Sequence, residues 1–295
     1  RFRPYLFPQG EEPGRTLDPF YSGAFLADAG FTVITAPGSS SSGDSVFSSR
    51  TWLHVLNSFD SARAAVRSGR PDLIQTSWSI RLNPYDVQMP AIAAVPFAAT
   101  HPGATVEDFQ RTFEQDRFGG ECPAFWPAAA PLSLPCLFAS SHTLGFNHPP
   151  DHVPADQVNR VLTGLLDRQE LNTQTRLTRK RLQDYREAGV RLAALRGQVK
   201  KGADWLAVFE AAAGQLETRA EIALLFLDEV GAVLAGLPLT GARQAEATRL
   251  LARHRARRKQ YAAFLADRLS PERIPQYLDW IFDTVTRPLA RLAGV

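Results

Sequence analysis

The sequence predicts an α/β part followed by an all-helical part: the last βα units of a (β/α)8 (TIM) barrel, joined to a C-terminal helical bundle. Over the first 100 residues, short β-branched runs alternate with helical patterns, as in βα repetition. From residue 154 onward, apolar residues recur at helical spacing and no convincing strand follows. We place the boundary near residue 150, with a partial barrel over 1–150 and an all-helical domain over 151–295.

The elements of the α/β part are bounded by start and stop signals such as Asp18-Pro19 and Gly30. Residues 31–36 are β-branched and nearly all apolar, which is typical of a fully buried parallel strand. The predicted elements are a strand at 2–7, a helix from about 18 to 29, a strand at 31–36, a helix at 50–68 and a strand at 72–77. Three such units are too few for a complete barrel, which needs about 250 residues.

The remaining sequence divides into a weakly patterned stretch and a strongly helical one. Residues 100–155 are rich in Pro, Phe and His and have poor periodicity. After them comes a helical stripe, and Ser270-Pro271 marks another helix start. The stripe residues are Val158, Val161, Leu162, Leu165 and Leu166. Five or six helices are predicted in this part.

Bulk properties indicate an ordinary globular protein of the cytoplasm. The net charge of +3, from 33 basic and 30 acidic residues, is too balanced to indicate nucleic acid or a membrane surface. No window approaches 18 consecutive apolar residues, so no membrane span is predicted. Cys122 and Cys136 have neither disulfide-framework nor zinc-site spacing, so we predict two buried thiols, no metal and no cofactor. Because the sequence has no initiator Met and begins directly with a predicted strand, we expect the chain to be cut from a longer protein.

Residues 38–45 nearly match a phosphate-binding loop. Gly38 to Ser45 follows a strand and approaches the pattern G-x-x-x-x-G-K-[ST]. Asp44 replaces the lysine that would reach the phosphates, and a carboxylate there repels them. A flexible loop at the carboxyl end of a barrel strand is the better interpretation, and barrel active sites are built from such loops.

Two charged patterns are interpreted as solvated helix faces. Asp228-Glu229 could be a general acid and its partner, but a helical stripe continues through it. Basic runs over 176–186 and 253–259 could grip a phosphate backbone. They are interleaved with Leu and Ala and not with aromatic residues that stack on bases, which argues against nucleic acid.

The favoured site follows the strand at 72–77. Trp78, at the end of a buried strand, would lie at the mouth of a barrel, where an indole face stacks on the apolar face of a pyranose ring. Arg81, Asn83 and Asp86 offer donors and acceptors for sugar hydroxyls. Trp78 could equally plug the end of the barrel, and its position alone does not decide between the two roles.

Four runs in the first 100 residues occur in a characteristic order: Ala36-Pro37-Gly38, Trp52-Leu53-His54-Val55-Leu56-Asn57, Asp72 through Trp78 to Arg81, and Met89-Pro90. In this order they resemble the last strands of family 20 glycoside hydrolases. They are most similar to the intracellular branch of the β-N-acetylhexosaminidases, where a Gly-x-x-x-T-x-W-x-R stretch follows an H-x-x-N segment. Gly69 and Arg81 lie outside perfect register with that pattern.

The resemblance implies a (β/α)8 enzyme that cleaves terminal N-acetylhexosamine by substrate-assisted retention. In that family a Glu protonates the leaving oxygen and an adjacent Asp orients the acetamide. The pair lies upstream of everything matched here, so no catalytic residue is assigned, and Asp228-Glu229 comes in the wrong order to replace it. The implied substrate-binding residues are Trp78, Arg81, Asn57, Asp44 and Tyr5.

Three functional hypotheses remain open. In the first, the chain is the C-terminal portion of such a hydrolase, and a missing N-terminal half-barrel or a second chain supplies the acid pair. In the second, it is a non-catalytic carbohydrate-binding or assembly module derived from such a barrel. In the third, it is a nucleic-acid or protein adaptor that works through the basic runs. An incomplete barrel leaves open strand edges, so we also expect oligomerisation or a partner.

Overall fold

The computed structural model describes residues 21–41, 44–67, 69, 72–77, 84–140, 156–237 and 240–295. Within these ranges most residues are helical. The α-helices are α1 (Tyr21–Asp28), α2 (Thr51–Arg67), α3 (Met89–Thr100), α4 (Val106–Phe118), α5 (Phe125–Ala129), α6 (Gln157–Asp167), α7 (Leu171–Arg196), α8 (Ala203–Leu234), α9 (Gly241–Ala266), α10 (Ile274–Leu278) and α11 (Thr284–Ala293). Single 3-10 turns lie at Tyr85–Gln88 and Ala130–Ser133, and a π turn lies at Asp279–Asp283.

The predicted α/β fold class is wrong, because the described part of the chain is all-α and contains no β-strand. Segments 31–39 and 72–77 do run parallel, but only as two isolated bridges. Four main-chain hydrogen bonds join them: Thr35 N to Asp72 O (3.0 Å), Ile74 N to Thr35 O (3.0 Å), Thr76 N to Pro37 O (2.9 Å) and Ser39 N to Thr76 O (2.8 Å). This pairing is too short to form the sheet of a barrel.

Pro37 explains why the pairing stays interrupted. In a regular parallel ladder the N–H of residue 37 would donate to the carbonyl of Ile74, between the bonds on either side, and proline has no N–H. The predicted burial is also wrong, since Ile34 and Ile74 are 52% and 54% exposed. A parallel strand of a TIM barrel is covered on both faces. The TIM-barrel assignment is therefore incorrect for the described residues.

Several helices lie where their local signals place them. α1 ends before Gly30, whose φ of 91° favours glycine, and α2 lies inside the predicted range 50–68. α4 lies in the stretch that lacks periodicity, and its start is a capping box: Thr105 Oγ1 accepts from Asp108 N, and Asp108 accepts from Thr105 N. Gly119 in the left-handed conformation ends it.

The two longest neighbouring helices, α7 and α8, follow each other through a short connection and pack along their lengths. Gly202 begins α8 with φ 76°, and a Cβ there would lie 2.5 Å from the carbonyl oxygen of Arg117. This close approach lets the α7–α8 pair pack on the end of α4. Among the described helices, none is both long and apolar enough to cross a bilayer.

One hydrophobic core joins the residues before 141 to those after 155. The indole of Trp205, on α8, lies with its ring centroid 5.7 Å from Phe113, 5.7 Å from Phe118 and 5.3 Å from Phe125. The predicted boundary near residue 150 lies outside the described residues. On either side of it, the chain packs as one body.

The bundle interior also contains two basic side chains. Arg219 is 1% exposed and donates to the main-chain carbonyls of Phe138 (3.4 Å) and Ile281. Burial lowers the pKa of its guanidinium to about 9, so it stays charged at neutral pH. Burial, reinforced by the nearby charge of Arg219, lowers the pKa of His254 to about 3. His254 is therefore neutral inside the fold.

Candidate functional site

The candidate site lies where segments 31–39 and 72–77 end side by side. Their parallel hydrogen bonding brings Ser39 and Ser77 close to the same buried side chain, Gln88. Ser39 Oγ donates to Gln88 Oε1 at 3.0 Å, and Ser77 Oγ donates to the same oxygen at 2.7 Å. Gln88 thus anchors both segment ends at one point.

Gln88 is itself held by the 3-10 turn at Tyr85–Gln88. The hydroxyls of Ser49 and Thr51, at the start of α2, donate to the carbonyl of Val87 at 3.1 and 2.9 Å. These bonds saturate a buried carbonyl and fix the turn against α2. Little in the local sequence indicates this role of Gln88, which is only a polar residue directly before the helix start at Met89-Pro90.

A second buried cluster, the Asp44 cluster, consists of Asp44, Ser41, Arg50 and His54. The Asp44 carboxylate is 1% exposed and accepts from Ser41 N (3.0 Å), Arg50 Nε (2.9 Å) and His54 Nε2 (3.1 Å). Arg50 also donates to Ser41 Oγ. Ser41 and Asp44 are therefore tied to the start of α2.

The electrostatics of this cluster keep Asp44 ionised. Burial by itself raises the pKa of the Asp44 carboxyl, but the hydrogen bond and charge of His54, together with the bonds from Ser41 and Arg50, outweigh it. The net effect places the pKa of Asp44 below its ordinary value of 3.8. Arg50 keeps 31% of its side chain exposed, so it is the member of the cluster most accessible to a ligand.

The five sequence-predicted binding residues fall into three groups. Asp44 is placed in the buried cluster, where it orients Arg50. Asn57 is exposed on α2, one turn beyond His54. The others lie outside the described residues: Trp78, Arg81 and Tyr5. Trp78 nevertheless follows Ser77 directly in the chain, and Ser77 is one of the two residues anchored by Gln88.

Two main-chain donors in the described part of the loop that resembles a phosphate-binding motif are used internally. Ser39 N donates to Thr76 O, and Ser41 N donates to Asp44 Oδ2. A phosphate-binding loop must instead present its N–H groups to the ligand. These two internal bonds argue against phosphate binding by this loop, and its predicted place at the end of a barrel strand is wrong because the described residues contain no β-strand.

The acidic pair in the helical part is engaged in ion pairs. Asp228 lies 3.6 Å from Arg179, and Glu229 lies 3.5 Å from Arg243. Both acids are on α8, outside the Asp44 cluster. Asp228, with 56% of its side chain exposed, fits the prediction of a solvated helix face, whereas Glu229, at 19%, is mostly buried.

Some residues of the basic runs pair with carboxylates of α8 and the π turn. Arg186 on α7 contacts Glu217 at 3.0 Å and Glu221 at 2.6 Å, and Arg253 on α9 contacts the same Glu221 at 2.6 Å. Arg258 pairs with Asp279. These contacts link α7, α8 and α9, so Arg186 and Arg253 have a structural role between helices.

Comparisons with known proteins identify no relative of this chain. The sequence was compared with family models and with curated proteins, and the fold with solved structures. None of these comparisons finds a match for this chain.

Proposed function

We propose that the chain is a non-catalytic carbohydrate-binding protein that recognises a terminal N-acetylhexosamine of a glycan. The observation that carries this proposal is the anchored end of segment 72–77. Ser77 donates to the buried Gln88 at 2.7 Å, and Trp78 is the next residue. The chain is thus fixed up to Ser77, and a ligand-binding side chain is best supported by an anchored neighbour.

The charge of the neighbouring cluster favours a neutral ligand. The exposed part of Arg50 offers donors for hydroxyl or acetamide oxygens, while Asp44 neutralises its charge at 2.9 Å. A phosphate or carboxylate ligand would be expected to meet a cation that lacks such a partner. A sugar with hydroxyl and amide groups needs only oriented donors and an apolar face.

Hydrolysis is not part of this proposal, because it needs an acid and an orienting carboxylate. Asp44 is buried and already accepts three hydrogen bonds, and Asp228 and Glu229 are paired on α8. Substrate-assisted cleavage with an acid pair from another polypeptide stays a prediction of the sequence resemblance. A chromogenic N-acetyl-β-glucosaminide tests it directly, since turnover by the purified chain would contradict a purely binding role.

Calorimetric titration of the full chain with N-acetylglucosamine tests the binding proposal. We expect saturable binding in the millimolar range, which corresponds to about −4 kcal/mol. Trp78→Ala should weaken it at least about tenfold, or ~1.4 kcal/mol, and Trp78→Phe should restore part of the loss. Val190→Ala, a change at a 73% exposed position on α7, serves as the matched control and should bind like the wild type. Unsaturated titration, or equal binding by Trp78→Ala, would contradict the proposal.

We also propose that the protein works in a reducing compartment such as the cytoplasm. Cys122 and Cys136 are both free and buried, and burial raises the pKa of the Cys136 thiol to about 12, which suppresses its reactivity. Alkylation of the native protein from its source, with and without prior reduction, tests this. Both thiols should label equally in denaturant without reduction, and a disulfide or mixed disulfide would contradict it.

A further inference from the structure

A small cavity lies between three helices of the bundle and shares no lining residue with the candidate site. Its volume is about 320 Å³. It is lined by Val158, Asn159 and Leu162 on α6, Phe226, Glu229 and Val230 on α8, and Pro288, Arg291 and Leu292 on α11. All of these residues belong to the described ranges. Ligand sites usually measure about 300–1,000 Å³, so a ligand of this cavity would be small.

The walls of the cavity are apolar and belong to the core of the bundle. Val158, Leu162 and Phe226 are buried, and Val230 and Leu292 pack against the same core. On each helix the lining residues are three or four positions apart, so each helix turns one face toward the cavity. Because the core holds these side chains in place, the cavity is formed before a ligand arrives. The part of a ligand that it encloses must be apolar.

One charged group at the cavity is the carboxylate of Glu229. Its Oε2 is buried, lies 3.5 Å from Arg243 and accepts no hydrogen bond from a described residue. Its Oε1 accepts none from a described residue either, but it is not buried in the same way. An ionised carboxylate can accept several hydrogen bonds, and bonds from a cationic donor are the strongest. Glu229 can therefore accept a cationic donor from a ligand.

The other charged group is the guanidinium of Arg291, in the last turn of α11. No carboxylate of the described residues lies within ion-pairing distance of it, whereas Arg243 pairs with Glu229. The side-chain amide of Asn159 also makes no hydrogen bond to a described residue. The cavity thus combines apolar walls with an acceptor of negative charge, a donor of positive charge and an amide that can do both.

We propose that this cavity binds a free amino acid with a large apolar side chain, such as leucine or phenylalanine. The ammonium group of the ligand donates to Glu229, and its carboxylate accepts from Arg291. The apolar side chain lies against Leu162 and Phe226. Charge selects this class of ligand: a simple organic acid would meet the carboxylate of Glu229, and a simple amine would meet the guanidinium of Arg291. A zwitterion presents the opposite charge to each. This inference does not depend on carbohydrate binding.

Calorimetric titration of the full chain with L-phenylalanine and with L-leucine tests the proposal. We expect saturable binding, and saturation by either amino acid supports it. 2-Phenylethylamine lacks the carboxylate and 3-phenylpropionic acid lacks the ammonium group, so each should bind at least about tenfold more weakly than L-phenylalanine. If neither amino acid saturates the protein, the proposal is overturned. Equal binding by one of the two analogues would also overturn it, because the ligand would then be an amine or an organic acid.

Substitutions at the cavity test its location. Arg291→Gln should weaken amino-acid binding at least about tenfold, because it removes the partner of the ligand carboxylate. Arg287→Gln is the matched control: Arg287 is exposed on the same helix but does not line the cavity, so this variant should bind like the wild type. Asn159→Trp places a large side chain at an exposed lining position and should block binding while helical circular dichroism stays unchanged. Unchanged binding by Arg291→Gln or by Asn159→Trp would mean that the amino acid binds elsewhere, and would overturn the proposal.

Discussion

Trp205 on α8 donates its indole N–H to the main-chain carbonyl of Asp86 at 2.9 Å. Asp86 belongs to the same 3-10 turn as Gln88, which anchors the two segment ends. The helical bundle therefore holds this turn through the Trp205 bond and through Arg268, whose Nε donates to Asp86 Oδ2 at 3.4 Å, in addition to the shared core. Substitutions on α8 that remove the Trp205 contact should therefore affect the candidate site.

Trp205→Phe should lower the free energy of unfolding by about 1–3 kcal/mol, because it leaves a carbonyl without its donor. Urea unfolding measures this loss. Trp52→Phe is the matched control, since the Trp52 indole N–H makes no hydrogen bond to a described residue, and it should cost less. Trp205→Phe should also weaken the binding of N-acetylglucosamine more than Trp52→Phe does. Equal effects of the two variants would mean that the Trp205–Asp86 bond does not couple the bundle to the site.

Asp44→Asn should destabilise the protein at neutral pH and lose that effect in acid. The folded pKa of Asp44 lies below its unfolded value. Its contribution is therefore fully present above about pH 4, the unfolded pKa, and disappears as the pH falls through the folded pKa. Urea midpoints between neutral and strongly acidic pH should show wild type and variant converging. Asp60→Asn, at an exposed position on α2, should show no such convergence, and parallel curves for Asp44→Asn would contradict the assignment.

His254→Gln should reduce the loss of stability on mild acidification. The pKa of His254 is about 3 in the folded state and about 6.5 in the unfolded state. Below about pH 6.5 the unfolded chain therefore binds a proton that the folded chain does not bind. Stability falls as the pH drops below 6.5 and goes on falling until the folded pKa is reached. Between pH 6.5 and 5 this amounts to about 2 kcal/mol. Unfolding free energies at pH 7 and pH 5 check it, and an unchanged difference in the variant would refute the neutral state of His254.

Gly202→Ala should be more destabilising than Gly236→Ala. Both glycines have positive φ, 76° and 69°, so both substitutions incur the left-handed penalty of about 1–2 kcal/mol. Only at Gly202 would the new Cβ meet a backbone atom, the carbonyl oxygen of Arg117 at 2.5 Å, whereas Gly236 has open space around it. Thermal unfolding of the two variants measures the difference. Equal melting temperatures would show that α8 can move away from α4 at little cost.

Local start and stop signals predict some of the helices. The stop signals at Gly30 and Gly69 place two helices nearly where the structure has them. α4 was not predicted. Its start signal, the capping box of Thr105 and Asp108, occupies few residues, and the stretch around it has poor hydrophobic periodicity. The barrel was predicted from β-branched runs that alternate with helical patterns and from the family resemblance. It failed because Pro37, directly after one such run, removes a ladder donor and because nothing in a run specifies what covers its faces.

The candidate site was predicted less completely than the helices. Asp44 was identified through a loop motif, and its partners His54 and Arg50 follow within ten residues. Gln88 was not identified, because its role depends on two hydroxyls, Ser39 and Ser77, from distant parts of the chain. No local pattern encodes such a meeting point. It exists only after the two segments pair and the 3-10 turn docks on α2.

The aromatic contacts of Trp205 have a consequence for how the chain can be divided. Its ring packs on Phe113, Phe118 and Phe125, so each side of the 141–155 region completes the core of the other. Genes for residues 1–150 and 151–295 would therefore encode complementing fragments, each with an unfinished interior. When the two fragments are co-expressed, they should associate into one complex. The chain can thus serve as a split reporter whose signal depends on association of the fragments.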